Sequence, residues 1–276
     1  MHGPATTTQG DVTMIDADAV NRVLFHPRRE AHGASPTGMP TITQCKDAQI
    51  SGYLHSQPGS PNLLLFFHGN GEIADDYDAI ASLYTGCGAS FWVVDYRGYG
   101  KSTGAPSFSK MLQDAEVMLH DVPRVASLAK LDITTVIVMG RSLGSASAIH
   151  LASTYPNRLA GLILDSPYAD LSKLIRRLGG PSLSEKALQG FRDNLDKMGS
   201  CEVPTLIVHG TEDRIIPFSE AVALHRASKS AVKRLVAIEG AGHNTLLRVG
   251  YRQVAAEVRE HISRVASLPR PLEPGE

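Results

Sequence analysis

The sequence is poor in cysteine, in aromatic residues and in surplus charge of either sign, and it has no long apolar run. Its three cysteines, Cys45, Cys87 and Cys201, are scattered, odd in number and without metal-ligand spacing. That excludes a disulfide framework and a cysteine-based metal site, and points to reduced, buried thiols in a reducing compartment. The 27 lysines and arginines nearly balance the 28 aspartates and glutamates, and no basic run stands out. Nothing in the charge therefore calls for nucleic acid or an acidic membrane as a partner. No window reaches the roughly 18 apolar residues of a membrane span, and residues 1–18 lack a basic segment followed by an apolar one, so no secretory signal is read there. A soluble, cytoplasmic protein is expected. What the chain does have is 276 residues with 42% hydrophobic content, enough for one large core.

Residues 1–12 are rich in Thr and Gly and residues 269–276 in Pro, so both are expected to be flexible tails. After a short amphipathic stretch (Ala17, Val20, Val23, Leu24) and a turn-rich loop at 33–40, residues 41–45 and 49–55 read as two antiparallel strands. From there the rhythm is strand, turn, helix. Apolar strands are predicted at 63–67, 91–94, 136–139, 162–164, 206–208 and 235–238, without polar alternation, as in strands covered on both faces. Helical patterns fall at 73–84, 107 to about 120, 143–155, 219–227 and 246–265, and Pro123 is expected to kink or split the second. This alternation predicts an α/β fold: a mostly parallel central sheet with helices on both faces, in a single domain over 17–265. The longer segment 166–204, after the sixth strand, carries weak helical patterns at 171–178 and 183–191 and is expected to form a small cap over the ligand cleft.

The chemistry centres on Gly140-Arg141-Ser142-Leu143-Gly144, which joins an apolar, β-branched run to a small-residue helical pattern. Strand, Gly-x-Ser-x-Gly and helix in that order make a nucleophile elbow, with Ser142 at the apex of a sharp turn. Alone, the pentapeptide is also compatible with an ordinary turn whose serine caps a helix. A serine hydroxyl needs a base, and the base an orienting acid; where the nucleophile sits on a strand-to-helix elbow of this kind, the two follow on loops after later strands, in the order Ser, Asp/Glu, His. His243 in Gly240-Ala241-Gly242-His243-Asn244 follows the last strand, and Asp213 in His209-Gly210-Thr211-Glu212-Asp213 follows the one before. Glu212 and Asp165 remain rivals for the acid, since some hydrolases draw it from an earlier strand. His68 and His209, beside glycines at strand ends, are expected to be satisfied by backbone.

An oxyanion in the transition state needs two preorganised N–H donors. Leu143, directly after the serine, supplies one, and Asn70 in the turn His68-Gly69-Asn70-Gly71 after the first parallel strand is the candidate for the other. Asp95-Tyr96-Arg97-Gly98-Tyr99-Gly100-Lys101-Ser102 lacks the glycine spacing of either nucleotide-binding motif and is expected to shape a loop at the cleft rim. No metal or cofactor motif is present. Phe108, Tyr168, Leu171, Leu174 and Leu178 offer an apolar pocket, with Tyr168 and Leu171 the substrate contacts singled out; ordinary core packing is their alternative role.

Together with Phe25-His26-Pro27-Arg28-Arg29-Glu30, these blocks make the chain resemble an α/β-hydrolase over roughly residues 25–262. It is most similar to the depalmitoylating α/β-hydrolase-domain proteins and their bacterial relatives. The resemblance implies an α/β-hydrolase fold, a Ser142–His243–Asp213 triad, no cofactor, and hydrolysis of a small-molecule acyl ester or thioester through an acyl-enzyme. Membrane-attached members carry an acylated, cysteine-rich N-terminus. This sequence has no cysteine before Cys45, so membrane attachment and protein depalmitoylation do not carry over. Two other readings stand beside it: a serine peptidase on the same fold, with Glu72 or Asp170 as amine-binding groups, and a binding protein that keeps the fold without catalysis. Oligomeric state is not readable.

Overall fold

In the run at 63–67, alternate residues serve two different cores. A computed structural model describes residues 15–29, 37–184 and 193–268. In it, Leu63, Leu65 and Phe67 of strand β3 (Asn62–Phe67) pack into one apolar cluster, and Leu64 and Phe66 into a second on the opposite face. Period-2 geometry sends successive side chains to opposite faces, so a strand covered on both sides must be apolar throughout. The first cluster takes in the helices Phe108–Leu128, Ser145–Thr154 and Phe218–Ala227; the second takes in the helix Leu246–Ser267 and the segment around the short helix Ala81–Thr85.

The sheet has eight strands in the order β1-β2-β4-β3-β5-β6-β7-β8. Strands β1 (Met39–Cys45) and β2 (Ala48–His55) form an antiparallel hairpin, and β2 runs antiparallel to β4 (Ser90–Val94). From β4 onward all pairings are parallel, through β3, β5 (Thr135–Arg141), β6 (Gly161–Asp165), β7 (Thr205–Gly210) and β8 (Lys233–Ile238). The chain adds β4 outside β3, then crosses back to lay β5 on the other side of β3. The loops leaving β3 and β5 therefore diverge to opposite faces and open a crevice at the carboxyl ends of the strands, where ligands bind in such sheets.

Two local expectations are corrected. Pro123 does not split its helix, which runs as one element from Phe108 to Leu128. The ring sits on the exposed side, while Met111, Ala115, Met118, Val122 and Val125 bury the opposite face, and that packing outweighs the local cost of proline. The pattern at 73–84 is a 3-10 turn, Ala74–Ile80, followed by the helix Ala81–Thr85. Its start is fixed by carboxylates: Asp76 accepts from the Ile73 N–H at 3.0 Å and Asp95 from the Ala74 N–H at 2.9 Å. Of the 166–204 insertion, the helices Leu171–Arg177 and Asn194–Met198 are described, capped by Asp170 and Asp193 respectively. Most of the pattern at 183–191 lies outside the described residues, as do the tails 1–12 and 269–276. No described helix is long and apolar enough to cross a membrane.

Candidate active site

The turn after β5 is as tight as its sequence demands. Ser142 has φ +51°, in the left-handed region that non-glycine residues seldom occupy. A Cβ on Gly140 would stand 2.3 Å from the Gly144 carbonyl oxygen, and one on Gly144 would stand 2.2 Å from that of Phe67 in β3. Both glycines are therefore steric requirements of a helix starting directly beneath a strand. Ser142 itself opens the 3-10 turn Ser142–Gly144 that leads into the helix Ser145–Thr154.

The loops after β7 and β8 bring two further side chains to this apex. Ser142 Oγ lies 2.9 Å from His243 Nε2, and His243 Nδ1 lies 2.7 Å from Asp213 Oδ2. An ionised carboxylate only accepts hydrogen bonds, so Nδ1 carries the proton and Nε2 is left to accept from the serine hydroxyl. Asp213 is itself held: its Oδ1 accepts from the Ile215 N–H at 2.9 Å and the Ile216 N–H at 2.8 Å. Its Oδ2 also faces His209 Nε2 at 3.3 Å. Burial alone would raise the Asp213 carboxyl, but the hydrogen bonds from His209 and His243, together with those from the backbone, hold it well below the usual carboxylate range. His209 shares its Nε2–H between the Ile216 carbonyl, at 2.8 Å, and that carboxylate, and His68 turns Nδ1 to the Gly69 carbonyl at 2.8 Å.

Neither rival acid reaches the histidine. Glu212 is exposed. Asp165, at the end of β6, accepts from the Ser166 hydroxyl at 2.8 Å and faces Arg141 Nε at 3.7 Å. Burial pushes its carboxyl up, with Arg141 opposing.

Over Ser142 lies a cavity of about 250 Å3 whose polar lining includes Asn70, Arg141 and His243, which Leu143 also lines, and whose apolar wall is Leu24, Leu174, Leu178 and Ile215. The Asn70 side chain is clamped. Its Oδ1 accepts from the His26 N–H at 2.8 Å and the Tyr99 hydroxyl at 2.9 Å, and its Nδ2 donates to His26 Nδ1 at 2.7 Å. Tyr96 donates to the His68 carbonyl at 2.6 Å. Two blocks singled out in the sequence, at 25–30 and 95–102, thus converge on the turn carrying Asn70; Glu30 lies outside the described residues. The second block is a buried brace and not a loop at the cleft rim.

Tyr168 and Leu171, the substrate contacts expected from sequence, are fully buried core residues and do not line the cavity. They sit where the insertion leaves the sheet, so the core takes them, and Leu174 and Leu178 further along the same helix form the wall. Phe108 is likewise a core residue. Sequence reasoning missed Leu24 and Ile215, which are far from the insertion in the chain and carry no motif. Among the described residues no group of three or more metal-ligating side chains is assembled.

The family model for Serine aminopeptidase, S33 matches residues 60–179 and 173–248. Alpha/beta hydrolase domain-containing protein 17C of Xenopus laevis is 34% identical over 217 residues, covering 76% of this chain and 64% of the relative. The Homo sapiens protein of that name is 32% identical over 215 residues, covering 76% of this chain and 61% of its own length. The match thus spans less than two thirds of these relatives. Among solved structures, the esterase Pf2001 of Pyrococcus furiosus aligns with a TM-score of 0.71 at 20% identity, over 86% of this chain and 98% of that one. Est1E from Butyrivibrio proteoclasticus aligns with a TM-score of 0.62 at 21% identity, over 84% and 100%. At such identities the likeness is one of fold.

Proposed function

The chain belongs to the α/β-hydrolase superfamily, and on that premise we propose that it is a serine hydrolase cleaving small-molecule carboxylic esters or thioesters through an acyl-enzyme. One observation carries the proposal: the unbroken chain Ser142 Oγ, His243 Nε2, His243 Nδ1, Asp213 Oδ2, at 2.9 and 2.7 Å, beneath a largely apolar wall. His243 Nε2 takes the hydroxyl proton as Ser142 Oγ attacks the substrate carbonyl carbon. The N–H groups of Leu143 and Asn70 receive the resulting oxyanion. Collapse expels the alcohol or thiol, which leaves with the proton from His243, and water then repeats the sequence to release the acid. Asp213, kept ionised, holds the imidazole in the tautomer both steps need. The proposal includes a single domain over 17–265, no cofactor and a cytoplasmic setting, which suits three buried, unpaired cysteines.

The description of the matching family favours a second reading, a serine aminopeptidase. That reading needs a carboxylate for the substrate amine. Glu72 is already taken by Arg141, by the Gly69 N–H at 2.6 Å and by the Tyr77 hydroxyl at 2.6 Å, and Asp170 caps a helix and pairs with Lys173. The ester reading is therefore preferred.

The test is hydrolysis of acyl esters and thioesters of increasing chain length, with Ser142→Ala alongside. Turnover in the wild type and a loss of several orders of magnitude in the variant, with the fold intact, are expected, on the order of 10⁶ in comparable serine knockouts. A variant as active as wild type refutes the nucleophile. A wild type silent on every ester but active on aminoacyl amides turns the assignment to the peptidase.

A further inference from the structure

The variable position of the elbow is a mostly buried arginine to which the proposed chemistry gives no task. Arg141 ends β5 beside Ser142, and its side chain is 14% exposed. Its Nη1 donates to Glu72 Oε1. Its Nη2 donates to the main-chain carbonyl of His243 at 3.0 Å and to Asn244 Oδ1 at 3.1 Å, and its Nε faces Asp165 Oδ2 at 3.7 Å. Glu72 Oε2 in turn accepts from the Gly69 N–H, one residue before Asn70, and from the Tyr77 hydroxyl. One guanidinium thus fastens together the end of β6, the turn that carries Asn70 and the loop that carries His243.

It is also a partition. A second cavity of about 190 Å3 lies behind it, lined by Asp165, Tyr84 and Leu247 among others, and Arg141 and His243 line both that cavity and the one over Ser142. The His243 loop therefore has an open space at its back, and the Arg141 fork onto the His243 carbonyl bears on that side. Burying a guanidinium between carboxylates is a poor way to gain stability, because the desolvation penalty offsets most of the attraction. What a planar fork offers is direction: five donors in a fixed geometry, which a lysine ammonium cannot reproduce.

We propose that Arg141 is a positioning residue, whose guanidinium holds the His243 loop and the Glu72-braced Asn70 turn in register around Ser142. The inference rests on the Ser142–His243–Asp213 reading for its effect on rate, but the holding of the loop is a claim about the fold. Errors of about 1 Å in such register cost on the order of 100-fold in rate, while substrate still binds its wall. The loss should therefore fall on kcat.

The test uses Arg141→Lys, and Arg141→Met combined with Glu72→Gln, which removes the arginine and its closest carboxylate together, so that Glu72 is not left charged and unpaired. On the best ester, Arg141→Lys should lower kcat roughly 10- to 100-fold with KM within about twofold of wild type. In the double variant, deuterium uptake over 240–245 should rise roughly tenfold or more, with β6 still protected. Wild-type kcat in Arg141→Lys, or a KM that rises as kcat falls, overturns the effect on catalysis. Unchanged exchange at 240–245 overturns the holding of the loop whether or not any ester is turned over. A failure of the triad reading is separately visible, as activity that survives Ser142→Ala.

Discussion

Replacing Gly144 by alanine tests the elbow without touching any side chain assigned to the chemistry. The new Cβ would meet the Phe67 carbonyl oxygen at 2.2 Å and the His68 carbonyl oxygen at 2.7 Å, both backbone atoms. Restoring even a 3.0 Å contact to Phe67 requires the end of β3 and the start of the helix to part by about 0.8 Å. Overpacking that side chains can absorb costs about 1–3 kcal/mol, and a clash with strand backbone belongs at the upper end. The lower backbone entropy of unfolded alanine returns about 0.4–1 kcal/mol, leaving a net loss of roughly 2–3 kcal/mol. For a chain of this size each kcal/mol shifts the melting temperature by about 2–4 °C, so a fall of roughly 4–12 °C is expected in calorimetry or circular dichroism. The clash also presses on the His68 carbonyl, two residues from the Asn70 amide, so kcat should fall as well. Gly242→Ala is the control: its nearest neighbours would be the Glu212 carbonyl oxygen at 3.6 Å and Thr245 Oγ1 at 3.7 Å, ordinary contacts. A Gly144→Ala protein melting within about 2 °C of wild type would refute the steric account of the elbow.

Asp213→Asn should lower kcat on the order of 10⁴-fold with little change in KM, because the amide cannot enforce the imidazole tautomer; a loss under tenfold would show that another group orients His243. The Asp213 carboxyl is depressed in the folded state, so its contribution to stability is full above the ordinary carboxylate range and is lost only as pH falls through its lower folded value. Asp213→Asn should therefore be less stable than wild type at pH 7, with the difference shrinking in strong acid. His261 is lowered as well: burial, then Arg264, take it to about 4, and its Nε2 has no hydrogen-bond partner. Since the unfolded chain takes up the proton first, stability should fall on acidification between about pH 6.5 and 4, by on the order of 3 kcal/mol in all. Denaturant midpoints at pH 7 and 4.5 measure this; His261→Leu should narrow the gap between them, and an unchanged gap would disprove it.

How much could be read in the sequence depended on the range of the forces involved. The elbow was legible because its cause is local: Gly140 and Gly144 are needed by atoms within a few residues or on the adjacent strand, and the apolar run and small-residue helix announce both partners. The proposed acid was legible only in part. Chain order admits Asp213, Glu212 and Asp165 alike, and what separates them is three-dimensional: the turn at 213–216 aims two amides at Asp213, while Asp165 faces Arg141. The cavity wall was not legible. Leu24 precedes the sheet and Ile215 follows β7, and only tertiary structure sets them opposite Leu174 and Leu178. Tyr168 and Leu171 misled because apolar residues near the start of an insertion can serve a cleft or a core, and composition does not distinguish the two.

The glycine-rich block at 95–102 adds a physical lesson about what a motif records. None of its side chains lines the cavity over Ser142. Asp95 accepts from Ser51 Oγ at 2.7 Å and from the Ala74 N–H at 2.9 Å, and Gly100, at φ +49°, leaves room for that carboxylate, which a Cβ would approach to 2.4 Å. Tyr96 and Tyr99 reach on to the His68 carbonyl and the Asn70 side chain. Each of these residues meets a specific neighbour, so the block braces the turn of Asn70 without lining the cavity over Ser142. Arg141 carries the same logic into the elbow itself, where the position that the motif leaves unspecified makes contact with three separate segments of the fold. Both sets of contacts converge on the turn of Asn70 and the loop of His243.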